Sequence, residues 1–174
     1  HPTLKALTKG SAEPKFFGPL GNAKLLNSQG VANVTEMDWG DTATYQDLTI
    51  HCLPTQHWSK RSISDTRKTL WSSWAVTGPE KRFYFAGDTG YFPGFKEIGE
   101  KLGPFNVAAM PIGAYEPNAM MNASHMDPAE SVMASLDIKA ERVLAIHFGT
   151  FDLSDEPLAE PPVLFEEAAA KTAL

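Results

Sequence analysis

Three strand-like runs in this chain each deliver a side chain that metals favour, and this limits what it can fold into more than any bulk property. Leu53-Pro54-Thr55-Gln56 leads to His57, Phe83-Tyr84-Phe85-Ala86-Gly87 to Asp88, and Val143-Leu144-Ala145-Ile146 to His147. A polar group just past a strand sits on the loop at the rim of a sheet, where sheet proteins place their chemistry. Gly87 and Gly90 flank Asp88, and Gly149 follows His147, so the backbone can turn tightly and aim these groups inward. Imidazole nitrogens suit zinc, and a carboxylate can bridge two cations. His57, Asp88 and His147 are thus chemically sufficient for part of a two-metal site, the alternative for each taken alone being a hydrogen-bonded loop histidine or a turn with an Asx cap. They do not make all of it, because two ions need roughly four ligands each, and neither His51 nor His125 evidently fills the deficit.

The rest of the chain supports a sheet with such a rim. Short helices are expected over Thr3 to Lys9 and Asn22 to Ser28, the latter stopped by Gly30. Lys15 to Leu20, Val31 to Met37 and Thr42 to Pro54 read as strands, with Leu48, Ile50 and Cys52 alternating with polar neighbours. Leu70 to Thr77 and Arg82 to Ala86 read as an antiparallel hairpin, because Gly78-Pro79-Glu80-Lys81 between them is turn chemistry. The order is then a helix over Gly94 to Leu102, a strand over Phe105 to Pro111, a Met- and Asn-rich loop, and a helix capped by Asp127-Pro128 running to Leu136. A strand from Arg142 to Ile146, a Pro-rich link over Ser154 to Pro162 and a helix from Val163 to Lys171 close the chain. Hairpins followed by alternating helix and strand predict an α/β domain with helices packed on sheet faces.

Charge and cysteine content exclude several roles. A net charge of -6 and a pI near 5.3 leave no basic surface for a phosphate backbone, so no nucleic-acid partner is expected. Cys52, the single cysteine, rules out an internal disulfide and a cysteine-built zinc cage, and favours a reducing compartment. Localisation stays open between the cytoplasm and the periphery of a membrane. A chain of 174 residues can bury a core of its own.

Four strings, taken in order, carry a family resemblance. Thr55-Gln56-His57-Trp58-Ser59-Lys60-Arg61, Phe85-Ala86-Gly87-Asp88-Thr89-Gly90-Tyr91, Pro111-Ile112-Gly113-Ala114-Tyr115-Glu116-Pro117 and Ile146-His147-Phe148-Gly149-Thr150-Phe151 closely resemble the phospholipase D family that hydrolyses N-acyl phosphatidylethanolamines, within the metallo-β-lactamase superfamily. Leu70-Trp71-Ser72-Ser73-Trp74 and Glu160-Pro161-Pro162 belong to the same likeness, which covers nearly the whole chain. It implies a four-layer αββα sandwich, present here as an incomplete C-terminal portion with a mixed sheet. Residues 1–174 would form one domain, and the family's upstream His-x-His-x-Asp-His motif is not in this sequence. His1 is not expected to be one of that motif's histidines.

The resemblance implies two zinc ions in the complete enzyme, with His57 a terminal ligand of one, His147 of the other, and Asp88 bridging both. A hydroxide held between the zincs would attack phosphorus. His125 matches a family histidine near the metals that positions substrate or assists proton transfer, and its alternative is a plain loop residue before a helix. Tyr115 and Glu116 are candidates for shaping the substrate pocket, against a packed aromatic and a solvated acid. The expected partner is a phospholipid or small phosphodiester, with peripheral membrane contact, a homodimer or the upstream half as further partners. A lactonase of the ascorbate-6-phosphate type in the same fold is the alternative activity. As supplied, the chain holds at most three of the ligands, and an inactive fragment with partial or absent metal is the alternative to activity.

Three further features keep two readings each. Lys60, Arg61, Arg67 and Lys68 concentrate positive charge after His57, as a solvated loop or as a seat for a headgroup phosphate. Trp39, Trp58, Trp71 and Trp74 pack a sheet or form a lipid-facing rim. Met110, Met120, Met121 and Met126 fill a core or line an adaptable apolar surface. Cys52 has no neighbouring base and is not expected to be a nucleophile.

Overall fold

The computed structural model describes residues 2–9 and 14–172. The reading of His1 falls outside them. The two opening helices are α1 (Pro2–Leu7) and α2 (Ala23–Ser28), and between and after them β1 (Phe16–Pro19) pairs parallel with β2 (Val34–Met37) as a small separate sheet. A six-stranded sheet follows in simple sequence order: β3 (Thr42–Tyr45), β4 (Leu48–Leu53), β5 (Ser73–Thr77), β6 (Arg82–Phe85), β7 (Val107–Pro111) and β8 (Val143–Ile146).

The sheet is mixed, as expected. Pairing is antiparallel from β3 to β6 and parallel from β6 to β8. The consequence for function is directional. Two reversals bring β6 back to the direction of β4, and β7 and β8 keep it, so the C-terminal ends of β4, β6, β7 and β8 share one edge of the sheet. His57, Asp88 and His147 follow three of those ends, and Gly113 to Tyr115 follow the fourth.

Parallel pairs need crossovers, and helices provide them. α3 (Gly94–Leu102) joins β6 to β7, and α4 (Asn118–Met121) and α5 (Pro128–Asp137) join β7 to β8. α5 starts where its sequence dictates. Asp127 accepts from the Glu130 N–H at 2.8 Å, the Glu130 carboxylate accepts from the Asp127 N–H at 3.1 Å, and Pro128 occupies the first turn, where no N–H is needed. The last helix, α6 (Glu160–Ala169), begins before the expected Val163, because Pro161 and Pro162 sit in its first turn instead of ending a linker.

The core lies on one face of the sheet. Ala75, Tyr84, Ala86, Ala108 and Met110 meet Phe95 and Ile98 of α3, Ala134 of α5, and Ile138, with Phe105 and Met126 sealing the ends. Gly99 allows the approach of α3 to the end of α5, since a Cβ there would lie 2.0 Å from the Asp137 carbonyl. On the opposite face, Phe85 and Leu144 flank Ala109 in register and are 40% and 57% exposed, while Ala109 is buried.

Four expectations change. The run from Thr42 to Pro54 is a hairpin, turning at Gln46, which takes φ 57°. The run from Leu70 becomes strand only at Ser73, because Trp71 turns its indole N–H onto the Thr55 carbonyl at 3.1 Å. Phe105 is held by an isolated bridge to Ala140 instead of strand pairing. The Met- and Asn-rich loop contains α4.

Candidate metal centre

The rim gathers three imidazoles and one carboxylate. His57 follows β4 on a loop fastened to the Asp88 loop, where Gly90 N–H donates to the Gln56 carbonyl and the Thr89 hydroxyl accepts from the Gln56 N–H, both at 2.9 Å. Gly90 is needed there, since a Cβ would lie 2.7 Å from the Asn122 carbonyl oxygen. Asp88 sits after Gly87, whose φ of 68° makes the turn out of β6. His147 itself takes φ 61°, a left-handed conformation unusual for histidine, as does Ala114 opposite at φ 65°. Such strained residues persist only where their surroundings hold them, and they concentrate at functional sites.

Each imidazole is oriented by a backbone carbonyl. Nδ1 of His57 lies 2.7 Å from the Trp58 oxygen, Nδ1 of His125 lies 2.8 Å from the Ala114 oxygen, and Nδ1 of His147 lies 3.4 Å from the Gly113 oxygen. A carbonyl can only accept, so Nδ1 carries the proton at His57 and His125, and Nε2 is left as the lone-pair nitrogen. Those two Nε2 atoms face each other at 3.3 Å. Two lone pairs at that separation repel unless a proton or a cation sits beside them. Nε2 of His147 meets Oδ1 of Asp88 at 3.2 Å.

The electrostatics follow. The hydrogen bond from His147, with the nearby His57 and His125 rings, holds the Asp88 carboxyl below its ordinary range despite burial. The same hydrogen bond raises His147. Burial lowers His125, and the His147 charge lowers it further. His125 is thereby kept neutral near pH 7, with its ring stacked at 5.3 Å on His57 and edge-on at 5.4 Å to His147.

This donor set fits a divalent ion of the zinc type in part. Two donors bound at about 2.1 Å with tetrahedral angles are about 3.4 Å apart, close to the 3.2 Å between Nε2 of His147 and Oδ1 of Asp88. Carbonyl-anchored Nδ1–H groups are the usual outer support of histidine ligands. Among the described residues, however, no three His, Cys, Asp or Glu side chains enclose a single ion.

Two cavities open on the cluster, one at His57 and Asp88 and one at His147. One, lined by His57, Asp88, Lys60, Arg61, Ser59 and Trp71 among others, is polar and holds two cationic side chains. The other, a cavity of about 220 Å³ beside His147, is mainly apolar, with Phe148, Phe151, Leu153 and Leu158 over Pro161. Glu156 ties its wall to the β7 loop, accepting from the Ala114 N–H at 2.6 Å, the Glu116 N–H at 3.1 Å and the Ser154 hydroxyl at 2.8 Å.

His57, Asp88, His125 and His147 are therefore brought together. Tyr115 and Glu116 are not. Tyr115 is 4% exposed and donates to the Glu160 carboxylate at 2.7 Å, and both residues line a groove against α5 and α6 instead of either cavity on the cluster. The backbone after β7 turns Tyr115 toward α6. Glu156 was missed, since an acid in a Pro-rich link gives no periodic signal. Cys52 is fully buried and its thiol is pushed up by that burial, as its lack of a base suggested.

Residues 2–148 match the model of the β-lactamase superfamily domain. The N-acyl-phosphatidylethanolamine-hydrolyzing phospholipase D 1 of Caenorhabditis elegans is 43% identical over 160 residues, which is 86% of this chain and 45% of that protein. A metal-dependent hydrolase of Methanopyrus kandleri is 32% identical over 155 residues, 87% of this chain and 61% of that one. Igni18, a metallo hydrolase of Ignicoccus hospitalis, superposes with a TM-score of 0.69 at 24% identity, over 96% of this chain and 66% of its own. The chain thus spans less than half the length of the nematode relative.

Proposed function

The chain belongs to the β-lactamase superfamily, among relatives of the phospholipase D that hydrolyses N-acyl phosphatidylethanolamines, and on that premise we propose that the protein it represents is a zinc-dependent hydrolase of phospholipid phosphodiesters. The observation that carries this is the clustering of the His57, His125 and His147 rings, each with Nδ1 near a backbone carbonyl, beside an Asp88 carboxylate that His147 meets directly. His57, Asp88 and His147 would hold the metal. When bound, a pair of such ions acidifies a water to near neutral pKa and neutralises charge on phosphoryl oxygens.

The chain's own groups do the rest. Lys60 and Arg61, on the wall of the polar cavity, offset the charge of the substrate phosphate. His125 is neutral because it is buried, and its free Nε2 accepts a proton or a hydrogen bond at the reacting group. Water adds to phosphorus and the bond from phosphorus to the ethanolamine oxygen breaks, so the phosphate stays with the diacylglycerol and the proton passes to the released N-acylethanolamine. Membrane lipid as substrate makes peripheral membrane contact part of the same proposal.

The test uses the whole protein with its upstream segment, assayed on an N-acyl phosphatidylethanolamine and on a panel of lactones. Release of N-acylethanolamine, abolished by chelation and restored by Zn²⁺, is the expected result. Fast lactone opening with no cleavage of any phosphodiester would overturn the proposal.

A further inference from the structure

The loop after β7 aims two of the imidazoles with two successive carbonyls. The Gly113 oxygen faces Nδ1 of His147 at 3.4 Å, and the Ala114 oxygen accepts from Nδ1 of His125 at 2.8 Å. Neighbouring peptide planes must therefore be set toward rings on different segments. Ala114 meets this demand at φ 65°, a left-handed conformation that a residue bearing a Cβ keeps only when its surroundings hold it there.

Glu156 supplies the hold. Its Oε1 accepts from the Ala114 N–H at 2.6 Å and from the Ser154 hydroxyl at 2.8 Å, and its Oε2 accepts from the Glu116 N–H at 3.1 Å. N–H groups two residues apart that converge on one carboxylate form a backbone nest, and bonds to an ionised acceptor are roughly twice as strong as neutral ones. The Ala114 N–H shares a rigid plane with the Gly113 oxygen, so pinning it directs the carbonyl that faces His147. The Glu116 N–H lies two planes further on, so the plane between them, which carries the Ala114 oxygen, is fixed from both ends. Charge adds to geometry, because an anion at the N–H end of a peptide unit polarises it toward its oxygen and strengthens the next bond in the chain.

A neighbouring acid makes the contrast. Glu160, at the start of α6, accepts from the Tyr115 hydroxyl at 2.7 Å. That bond ties the same two segments together, yet it ends on a side chain and touches no peptide that faces an imidazole.

We infer that Glu156 is a positioning residue of the donor cluster, directing the His147 and His125 rings through the peptide units between Gly113 and Glu116. The inference rests on the reading of the cluster as a metal centre, and adds to it the group that sets the direction of two of its rings.

The test compares variants of the whole protein by imidazole nitrogen chemical shifts without zinc and by zinc affinity in competition with a chelating dye. Glu156→Gln keeps the size of the side chain but removes its charge and sets an amide NH₂ against one of the backbone N–H groups. It should move the His125 and His147 signals, leave that of His51, which is bonded to Thr77, in place, and weaken zinc by about tenfold. Glu156→Asp restores the charge a methylene further back and should recover part of both effects. Ser154→Ala loosens the carboxylate without removing it, so it should shift the same two signals by less, and it decides the matter if Glu156→Gln does not fold. Tyr115→Phe breaks the sister tie and should lower stability while zinc affinity and the histidine signals stay native. Unmoved His125 and His147 signals with native zinc affinity in the Glu156 variants, or the same changes in Tyr115→Phe, would overturn the inference. The two readings fail separately: a native protein that binds no zinc sinks the metal centre, whereas tight zinc binding indifferent to Glu156 sinks only the positioning role.

Discussion

Gly113 is the position where a single methyl group tests how the rim is built. An ideal Cβ at this residue lies 2.4 Å from the His147 carbonyl oxygen, 3.1 Å from Phe148 Cβ and 3.2 Å from Phe148 Cα. Carbon and carbonyl oxygen settle at about 3.3–3.6 Å, so Gly113→Ala forces the two backbones roughly 1 Å apart. The blocking atoms are mainly backbone, and the neighbouring ladder bond from Ile112 N–H to the Ile146 oxygen, 3.1 Å long, resists the shift. His147 already carries a left-handed φ of 61° and has little room to adapt. Overpacking of this kind costs about 1–3 kcal/mol, and for a chain of this size each kcal/mol lowers Tm by about 2–4 °C. Movement of the ring that meets Asp88 should also weaken zinc by about 10- to 100-fold, as loss of outer support for a ligand does. Thermal denaturation and zinc titration of the variant read the two effects, with Gly18→Ala as the control, because a Cβ there meets nothing closer than 3.6 Å. If Gly113→Ala melts with the control and keeps native zinc affinity, the packing of the β7 and β8 loops does not position His147.

Other perturbations follow from the same contacts. Tyr115→Phe removes a hydrogen bond to the Glu160 carboxylate and should cost about 1.5–3 kcal/mol in urea denaturation, leaving KM unchanged in the whole protein if Tyr115 is structural. Asp127→Ala removes half of a capping box and should cost about 1 kcal/mol, read the same way. Burial would raise the Glu156 carboxyl, but the Ser154 hydroxyl and the N–H groups of Glu116 and Ala114 outweigh it and lower its pKa. Its contribution is therefore present above the unfolded glutamate pKa and is lost as pH falls through the lower folded value. Hydrogen-exchange protection factors of residues 147–158, corrected for the intrinsic rate at each pH, should fall on acidification into that range, and Glu156→Gln should show the lower protection already at neutral pH.

The rim was legible in the sequence because its logic is local. Apolar runs ending in His57, Asp88 and His147 announce strands that deliver these side chains to one rim, and the turn at Gly78 and the cap at Asp127 fix their neighbours. What escaped depends on contacts between distant segments. Nothing near Tyr115 in sequence indicates that Glu160 will hold it, and nothing around Glu156 indicates its two N–H partners on the β7 loop. The break within Thr42 to Pro54 was hidden because Gln46 and Asp47 lack the Gly or Asn that usually mark a tight turn. The pairing of the His57 and His125 nitrogens was likewise invisible, since it is made across sixty-eight residues of chain.

Zinc-edge anomalous diffraction from crystals of the whole protein tests the metal assignment most directly. Scattering ions about 2.0–2.2 Å from Nε2 of His57, from the Asp88 carboxylate and from Nε2 of His147, and lost in Asp88→Ala, are what the proposal predicts. Zinc bound away from these three side chains, or retained undiminished without the Asp88 carboxylate, would contradict it.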